Sequence, residues 1–207
     1  MAYLIGIAGG SASGKTTIAH ALAAELAPRS VALIAEDDYY LDRSAYPDFD
    51  PDKVNFDAPS AKDDVLLREH LAAARRSQPF DKPLYDLKTH ARLAESERLR
   101  PADVVIVEGI HVLSSDALCA CFDLKVYIDA EETLRLGRRM IRDVTERNRT
   151  PHSVLQQFFL NVRPMHDLHV APQARRADLV LQSSFAGGAA EAKTQAAQIA
   201  AQCAFPR

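Results

Sequence analysis

The chain has 207 residues and a formal net charge of −3. That length suits one domain with a substantial core, and the mild acidity gives no footing for wholesale nucleic-acid binding. Three cysteines, Cys119, Cys121 and Cys203, without a second pair or a His cluster at ligand spacing, argue against a disulfide framework and a zinc site, and no run approaches the ~20 apolar residues of a membrane span.

The first element is the short apolar run Tyr3-Leu4-Ile5-Gly6-Ile7-Ala8, of the kind a buried parallel strand makes. No positive charge precedes it and it leads into a glycine-rich turn, so it is not expected to be a signal peptide. Gly9, Gly10, Ser11, Ala12, Ser13, Gly14, Lys15 and Thr16 fit the phosphate-loop pattern G-x-x-x-x-G-K-[ST], and Thr17 follows. Ile18, Leu22 and Leu26 then recur at helical spacing until Pro28. Strand, glycine turn and helix N-terminus together predict an anion cradle, because backbone N–H groups converge there and the helix dipole favours negative charge. Lys15 would reach the β- and γ-phosphates, and the Thr16 hydroxyl would ligate Mg²⁺.

Strand-like and helix-like segments alternate from there on. Val31-Ala32-Leu33-Ile34 predicts a second strand ending at Glu36-Asp37-Asp38. Residues 39–59 hold aromatics, aspartates and three prolines without periodicity, which predicts a long functional loop. Ser60 with Asp63 resembles a capping box for a helix carrying Leu67, Leu71 and Ala74. Residues 79–100 are polar and read as a hairpin. Val104-Val105-Ile106-Val107 predicts a third strand of the sheet, ending at Glu108-Gly109, and Leu124 to Ile128 a fourth. Asp129 with Glu132 predicts a capped helix to about Glu146. Thr150-Pro151 predicts the next, with Leu155, Phe158, Phe159 and Val162 on its apolar side. Leu179-Val180-Leu181 is the fifth strand, and an alanine-rich helix closes the chain. This order predicts an α/β fold with a parallel sheet and right-handed crossovers.

Ligands on such sheets bind beyond the carboxyl ends of the strands. Asp37 and Glu108 both follow strands, so both are expected over the phosphate loop. Phosphoryl transfer uses one carboxylate to order Mg²⁺ or its waters and one to accept the proton of the attacking hydroxyl. Asp37 is assigned as the base and Glu108 to the metal. On the helix from Asp129, Arg135, Arg138, Arg139 and Arg142 fall within an arc of roughly 100°, with Leu136, Met140 and Val144 opposite. Arg147 and Arg149 follow. A stripe of arginine without lysine predicts a lid over about residues 135–165 that closes on phosphates, because guanidinium forks match phosphate oxygens.

In the order Gly9–Thr17, Asp37-Asp38-Tyr39-Tyr40, Asn55-Phe56-Asp57, Tyr85-Asp86 with His90 and Arg92, Glu108-Gly109-Ile110, Arg138 to Asp143, Glu146-Arg147 with Arg149, Gln157, and Val162-Arg163-Pro164-Met165-His166, the chain resembles the phosphoribulokinase/uridine kinase family. The resemblance implies a three-layer P-loop NTPase fold with a small lid and a substrate-binding hairpin, in a single P-loop kinase domain over 1–207 whose residues 37–100 form a nucleoside-binding insert. It implies ATP- or GTP-dependent, Mg²⁺-dependent phosphorylation of the 5′-hydroxyl of uridine or cytidine in pyrimidine salvage. It implies a cytoplasmic enzyme, a tetramer or dimer of identical chains, with no membrane or nucleic-acid partner. By resemblance Asp37 takes the hydroxyl proton, and Asp57 and Arg139 hold the ribose hydroxyls with Gln157 nearby. Tyr40, Phe56, Tyr85 and His90 line the nucleoside pocket, and Arg142, Arg147 and Arg149 attend the phosphates with Lys15. Two departures stand out. Ala58 then Ser60-Ala61-Lys62-Asp63 replace the family's His and its acidic-aromatic run, and Asn148 stands where Gly is usual. The alternatives are a P-loop kinase of another small alcohol, phosphoribulokinase- or pantothenate kinase-like, and a regulatory NTPase switch. The second lacks its Asn-Lys-x-Asp and Asp-x-x-Gly motifs here.

Overall fold

The structure, a computed structural model, describes residues 1–50, 53–186 and 188–205. Strand β1 (Tyr3–Gly9) runs into helix α1 (Lys15–Glu25), followed by β2 (Val31–Ala35), α2 (Asp64–Arg75) and the strands β3 (Phe80–Asp86) and β4 (Ala91–Leu99). Then come β5 (Val104–Gly109), α3 (Asp116–Cys119), β6 (Leu124–Ala130), α4 (Glu132–Thr145), α5 (Pro151–Gln157), α6 (Arg163–Met165), β7 (Leu179–Ser183) and α7 (Gly188–Gln202). The main sheet has the order β2-β5-β1-β6-β7 with all neighbours parallel, as the alternation predicts. The expected hairpin is the antiparallel pair β3-β4.

Both faces of the sheet are covered, which is why its strands are continuous apolar runs. Leu4, Ala8, Val105 and Val107 pack on one face against Leu67, Leu71 and Ala74 of α2. Ile5, Ile7, Ile106 and Val126 pack on the other against Ile18 and Leu22 of α1 and Ala196 and Ile199 of α7. Those are the three layers. Truncating a fully buried anchor such as Leu22 or Leu71 to Ala would cost about 2–5 kcal/mol.

Three local expectations are corrected. The cap of α2 is Asp63, whose side chain accepts from the Leu66 N–H at 3.1 Å, not Ser60, which lies in the turn Pro59–Ala61. The Asp63 N–H is tied to the Tyr39 carbonyl at 2.8 Å, so the chain is still held outside the helix at that point. Asp129 does not cap α4. It is paired with Gln182 in the sheet, and the helix starts after Glu131 with no side-chain cap. Beyond α5 the inward residues are Val154, Phe158, Val162 and Val170, while Leu155 and Phe159 are exposed. A spacing of four exceeds the α-helical 3.6, and π-helical turns at Phe158–Val162 and His166–Val170 keep that row on one face. The irregular stretch 39–59 contains single-turn 3₁₀ segments, and its residues 51 and 52 lie outside the described residues.

Candidate active site

The phosphate loop links β1 to α1. Gly9 has φ 152°, and a Cβ there would lie 2.4 Å from the Ile128 carbonyl, so only glycine lets the loop leave the sheet at this point. Gly14 has φ 100° and is the N-cap of α1, which opens the first-turn N–H groups to the loop interior. Lys15 is buried, its ammonium folded back onto the Gly10 carbonyl at 3.0 Å. Burial lowers its pKa against the opposing pull of Glu108, Asp37 and Glu36.

The sheet register brings the acids together. Glu108 of β5 sits opposite Ile7 of β1 and Ala35 of β2. Its Oε1 accepts the Thr16 hydroxyl at 2.7 Å. Asp37 lies two residues past Ala35, in the 3₁₀ turn Glu36–Tyr39, with its side chain 48% exposed. Burial would raise its carboxyl, but the Lys62 ammonium at 2.8 Å, with Lys15 and Arg147, outweighs that and holds it down at about 2. Glu36 beside it is fully buried, accepts the His111 N–H at 2.9 Å, and is pushed up by burial to about 7 despite Lys62.

Helix α4 lays its arginine face inward. Arg135, Arg139 and Asp143, one turn apart, are its buried residues, while Leu136, Met140 and Val144 are only half-buried. The four predicted arginines do not act as one set. Arg135 packs against Gly10 and donates to the Ala130 carbonyl at 3.1 Å, and Arg138 turns to Ser183 and Ser184 on the β7 side. Arg139 donates to Ser11 Oγ and to Gln157 Oε1, both at 2.8 Å, so it joins the phosphate loop to α5. Arg149 also donates to Gln157 and to the Ser153 carbonyl. Asp143, fully buried, faces Arg142 at 2.8 Å, Arg139 at 3.3 Å and Arg147 at 3.4 Å. One carboxylate thus racks three guanidiniums.

Asp57 is buried. Burial raises its carboxyl, partly offset by Arg139, and its carbonyl meets His111 Nε2 at 2.8 Å. With Ser11 and His166 it borders a water-sized cavity. Phe56 stacks on His90 with centroids 4.4 Å apart and 16° between planes, and Tyr40 sits 5.9 Å from Phe56 and 5.1 Å from Tyr85. Phe49 joins this cluster from the 39–59 stretch. The Tyr46 and Tyr85 hydroxyls are buried without a partner among the described residues, which leaves hydrogen-bonding capacity beside the rings. Of the sequence-chosen residues, Thr16 meets Glu108, Asp37 lies within electrostatic reach of Lys15, Arg139 ties Ser11 to Gln157, and Tyr40, Phe56, Tyr85 and His90 form one aromatic cluster. Lys62, Asp143, Glu36, His111 and Phe49 were not among the sequence-chosen residues. Asp143 was legible, since it lies four residues from both Arg139 and Arg147.

The model of the Phosphoribulokinase / Uridine kinase family matches residues 4–186. The chain belongs to this family. Among curated members of the family, a uridine kinase of Geobacillus kaustophilus (strain HTA426) is 44% identical over 178 residues, covering 86% of this chain and 84% of the relative. A uridine kinase of Staphylococcus epidermidis (strain ATCC 12228 / FDA PCI 1200) is 42% identical over the same length, covering 86% of each. The family fold is also seen in a possible uridine kinase from Bacillus stearothermophilus, with TM-score 0.63 and 23% identity over 87% of this chain and 88% of that one. Phosphoribulokinase from Rhodobacter spheroides gives TM-score 0.62 and 14% identity over 87% and 70%.

Proposed function

We propose that this protein transfers the γ-phosphoryl group of ATP to the 5′-hydroxyl of uridine or cytidine, forming UMP or CMP. The observation that carries this is the placement of a half-exposed carboxylate, Asp37, within electrostatic reach of Lys15 of the phosphate loop and, through Lys62, beside the Tyr40 ring of the aromatic cluster. The curated relatives bearing the name uridine kinase support the choice of substrate.

In this reading the flat pyrimidine lies among Tyr40, Phe56, Tyr85 and His90, and Asp57 with Arg139 and Gln157 takes the ribose diol. Asp37 orients the 5′-hydroxyl in line with the γ-phosphorus. The new O5′–P bond forms as the bond from phosphorus to the β,γ-bridging oxygen breaks, and the hydroxyl proton passes to the Asp37 carboxylate. Against the pull of burial, Lys62 holds the Asp37 carboxyl below its ordinary value, so the group is ionised and able to accept the proton. Arg142 and Arg147, held by Asp143, face the negative charge spread over the transferring group, with Lys15.

Thr16 and Glu108 present a hydroxyl and a carboxylate to one point at the loop mouth, a hard-oxygen donor pair suited to Mg²⁺. Among the described residues no group of three or more His, Cys, Asp or Glu could hold a metal alone, which fits an ion that keeps waters and phosphate oxygens as ligands. Thr16 and Glu108 would hold such an ion, which would supply neutralisation of phosphate charge. ATP or GTP serves as donor. The chain acts as a single domain over 1–207, with residues 37–100 as the nucleoside insert and 135–165 as the lid. It works in the cytoplasm as a homo-oligomer, a tetramer or dimer, on small molecules alone; among the described residues no helix is long and apolar enough to cross a membrane.

The test is ADP release measured over a panel of nucleosides, pantothenate and ribulose 5-phosphate. Stimulation by uridine and cytidine is expected. Stimulation by one of the other alcohols alone would move the protein to another branch of the family.

A further inference from the structure

Lys62 stands in the stretch where the sequence departs from the family's acidic-aromatic run, and the structure gives it a definite place. Its side chain is 1% exposed, yet its ammonium ends at the half-open Asp37. The Nζ donates to Asp37 Oδ1 at 2.8 Å, approaches the Glu36 carbonyl at 3.5 Å, and lies 3.1 Å from the centre of the Tyr40 ring. The backbone around it is fixed to the strand-end turn that carries Asp37. Tyr40 and Lys62 form an isolated antiparallel bridge, with Leu41 N–H on the Ala61 carbonyl at 2.9 Å and Asp63 N–H on the Tyr39 carbonyl at 2.8 Å. Asp63 in turn caps α2 and takes Arg92 at 2.9 Å. A long flexible side chain normally loses much rotamer freedom when ordered, but here the stem is buried and both ends are held.

We propose that Lys62 is a positioning residue of the phosphoryl transfer: it occupies Asp37 Oδ1 and so turns Oδ2 toward the acceptor hydroxyl. No donor reaches Oδ2 among the described residues. The ammonium acts through the carboxylate, not on the substrate. It also keeps that carboxylate charged in a crowded site. Asp37 is faced by Lys15 from α1, Arg147 from beyond α4, Glu36 from its own turn, Asp57, and His111 from the loop after β5. Burial pulls Asp37 upward and Lys62 is the largest opposing influence, so its removal raises the Asp37 carboxyl.

The inference rests on the nucleoside-kinase reading, and one experiment separates the two. Wild type and Lys62→Met, similar in length but uncharged, are compared for kcat and uridine KM with ATP and Mg²⁺ across about pH 5 to 9, for calorimetric uridine affinity, and for melting temperature. The expected result is a kcat lowered on the order of 10²-fold, with uridine affinity within about threefold and an acid limb of kcat displaced to higher pH. Should Lys62→Met fail to fold, Lys62→Gln is read in the same way. A folded variant with wild-type kcat and an unmoved acid limb overturns the proposal, as does a loss confined to uridine affinity. A wild-type protein that phosphorylates neither uridine nor cytidine overturns the functional reading, and this proposal with it.

Discussion

The Thr16 hydroxyl donates to Glu108 Oε1 at 2.7 Å, across 92 residues of sequence. The pairing of Ile7 with Glu108 in the β1-β5 register sets it, because Thr16 follows β1 by one loop. A chelator should abolish turnover, and added Mg²⁺ should restore it. Glu108→Gln keeps the hydrogen bond but loses the charge, so it should raise the Mg²⁺ concentration needed for half-maximal rate. An unchanged Mg²⁺ titration in that variant would remove Glu108 from the metal site.

Lys15 carries the phosphate-loop assignment. Lys15→Ala should lower kcat by on the order of 10²–10³ by removing a cation from the transferring phosphoryl group. Because the side chain is buried on the Gly10 carbonyl, Lys15→Met is the better probe of chemistry apart from packing. Retention of more than about a tenth of the rate by Lys15→Met, with its melting point preserved, would contradict the role.

Asp143 and Arg142 separate the lid from an ordinary wet face. Arg142→Ala should depress kcat strongly and stability little, since the arginine is half-exposed. Asp143→Asn should depress both. Its carboxylate is fully buried among Arg139, Arg142 and Arg147, and losing it leaves their charges without a counterion. Equal melting curves for Asp143→Asn and wild type would show that the rack does not hold the helix.

Glu36 predicts a pH dependence of stability. Its carboxyl sits at about 7 when folded against an ordinary 4.5. Between these values the folded state holds a proton that the unfolded state has lost, so Glu36 makes stability fall as pH rises through that window. His111 and His166 sit near 4 when folded, against 6.5, and pull the opposite way, favouring the folded state as pH rises from 4 to 6.5. Glu36→Gln should isolate the first effect. The melting temperature of the variant relative to wild type should be higher at pH 8 than at pH 5. The same difference at both pH values would mean that Glu36 is not buried as an acid.

The sheet was legible because each strand is an apolar run bounded by turn residues, and the phosphate loop because its glycines sit at fixed spacing. The positions of Asp37 and Glu108 at strand ends near the phosphate loop were legible through the strand-end rule, beside the family resemblance. Cap positions were not, because tertiary contacts decide them. Ser60 and Asp129 have the chemistry of caps, yet one lies in a separate turn and the other remains paired in the sheet. Arginines at helical spacing identified a stripe but not which way each fork points: Arg138 goes to Ser183 and Arg139 to Ser11. Lys62 reaches Asp37 across 25 residues, and no local pattern announces such a contact.

The central claim is that Asp37 serves the chemistry and Asp57 the ribose. Uridine binding by calorimetry, alongside single-turnover rates, tests it in Asp37→Asn and Asp57→Asn. Asp37→Asn should lose ~10²–10⁴ in rate with binding nearly kept, and Asp57→Asn should weaken binding and discriminate less against 2′-deoxynucleosides. The reverse pattern would exchange the two carboxylates, and no effect on either quantity in either variant would contradict the nucleoside-kinase account.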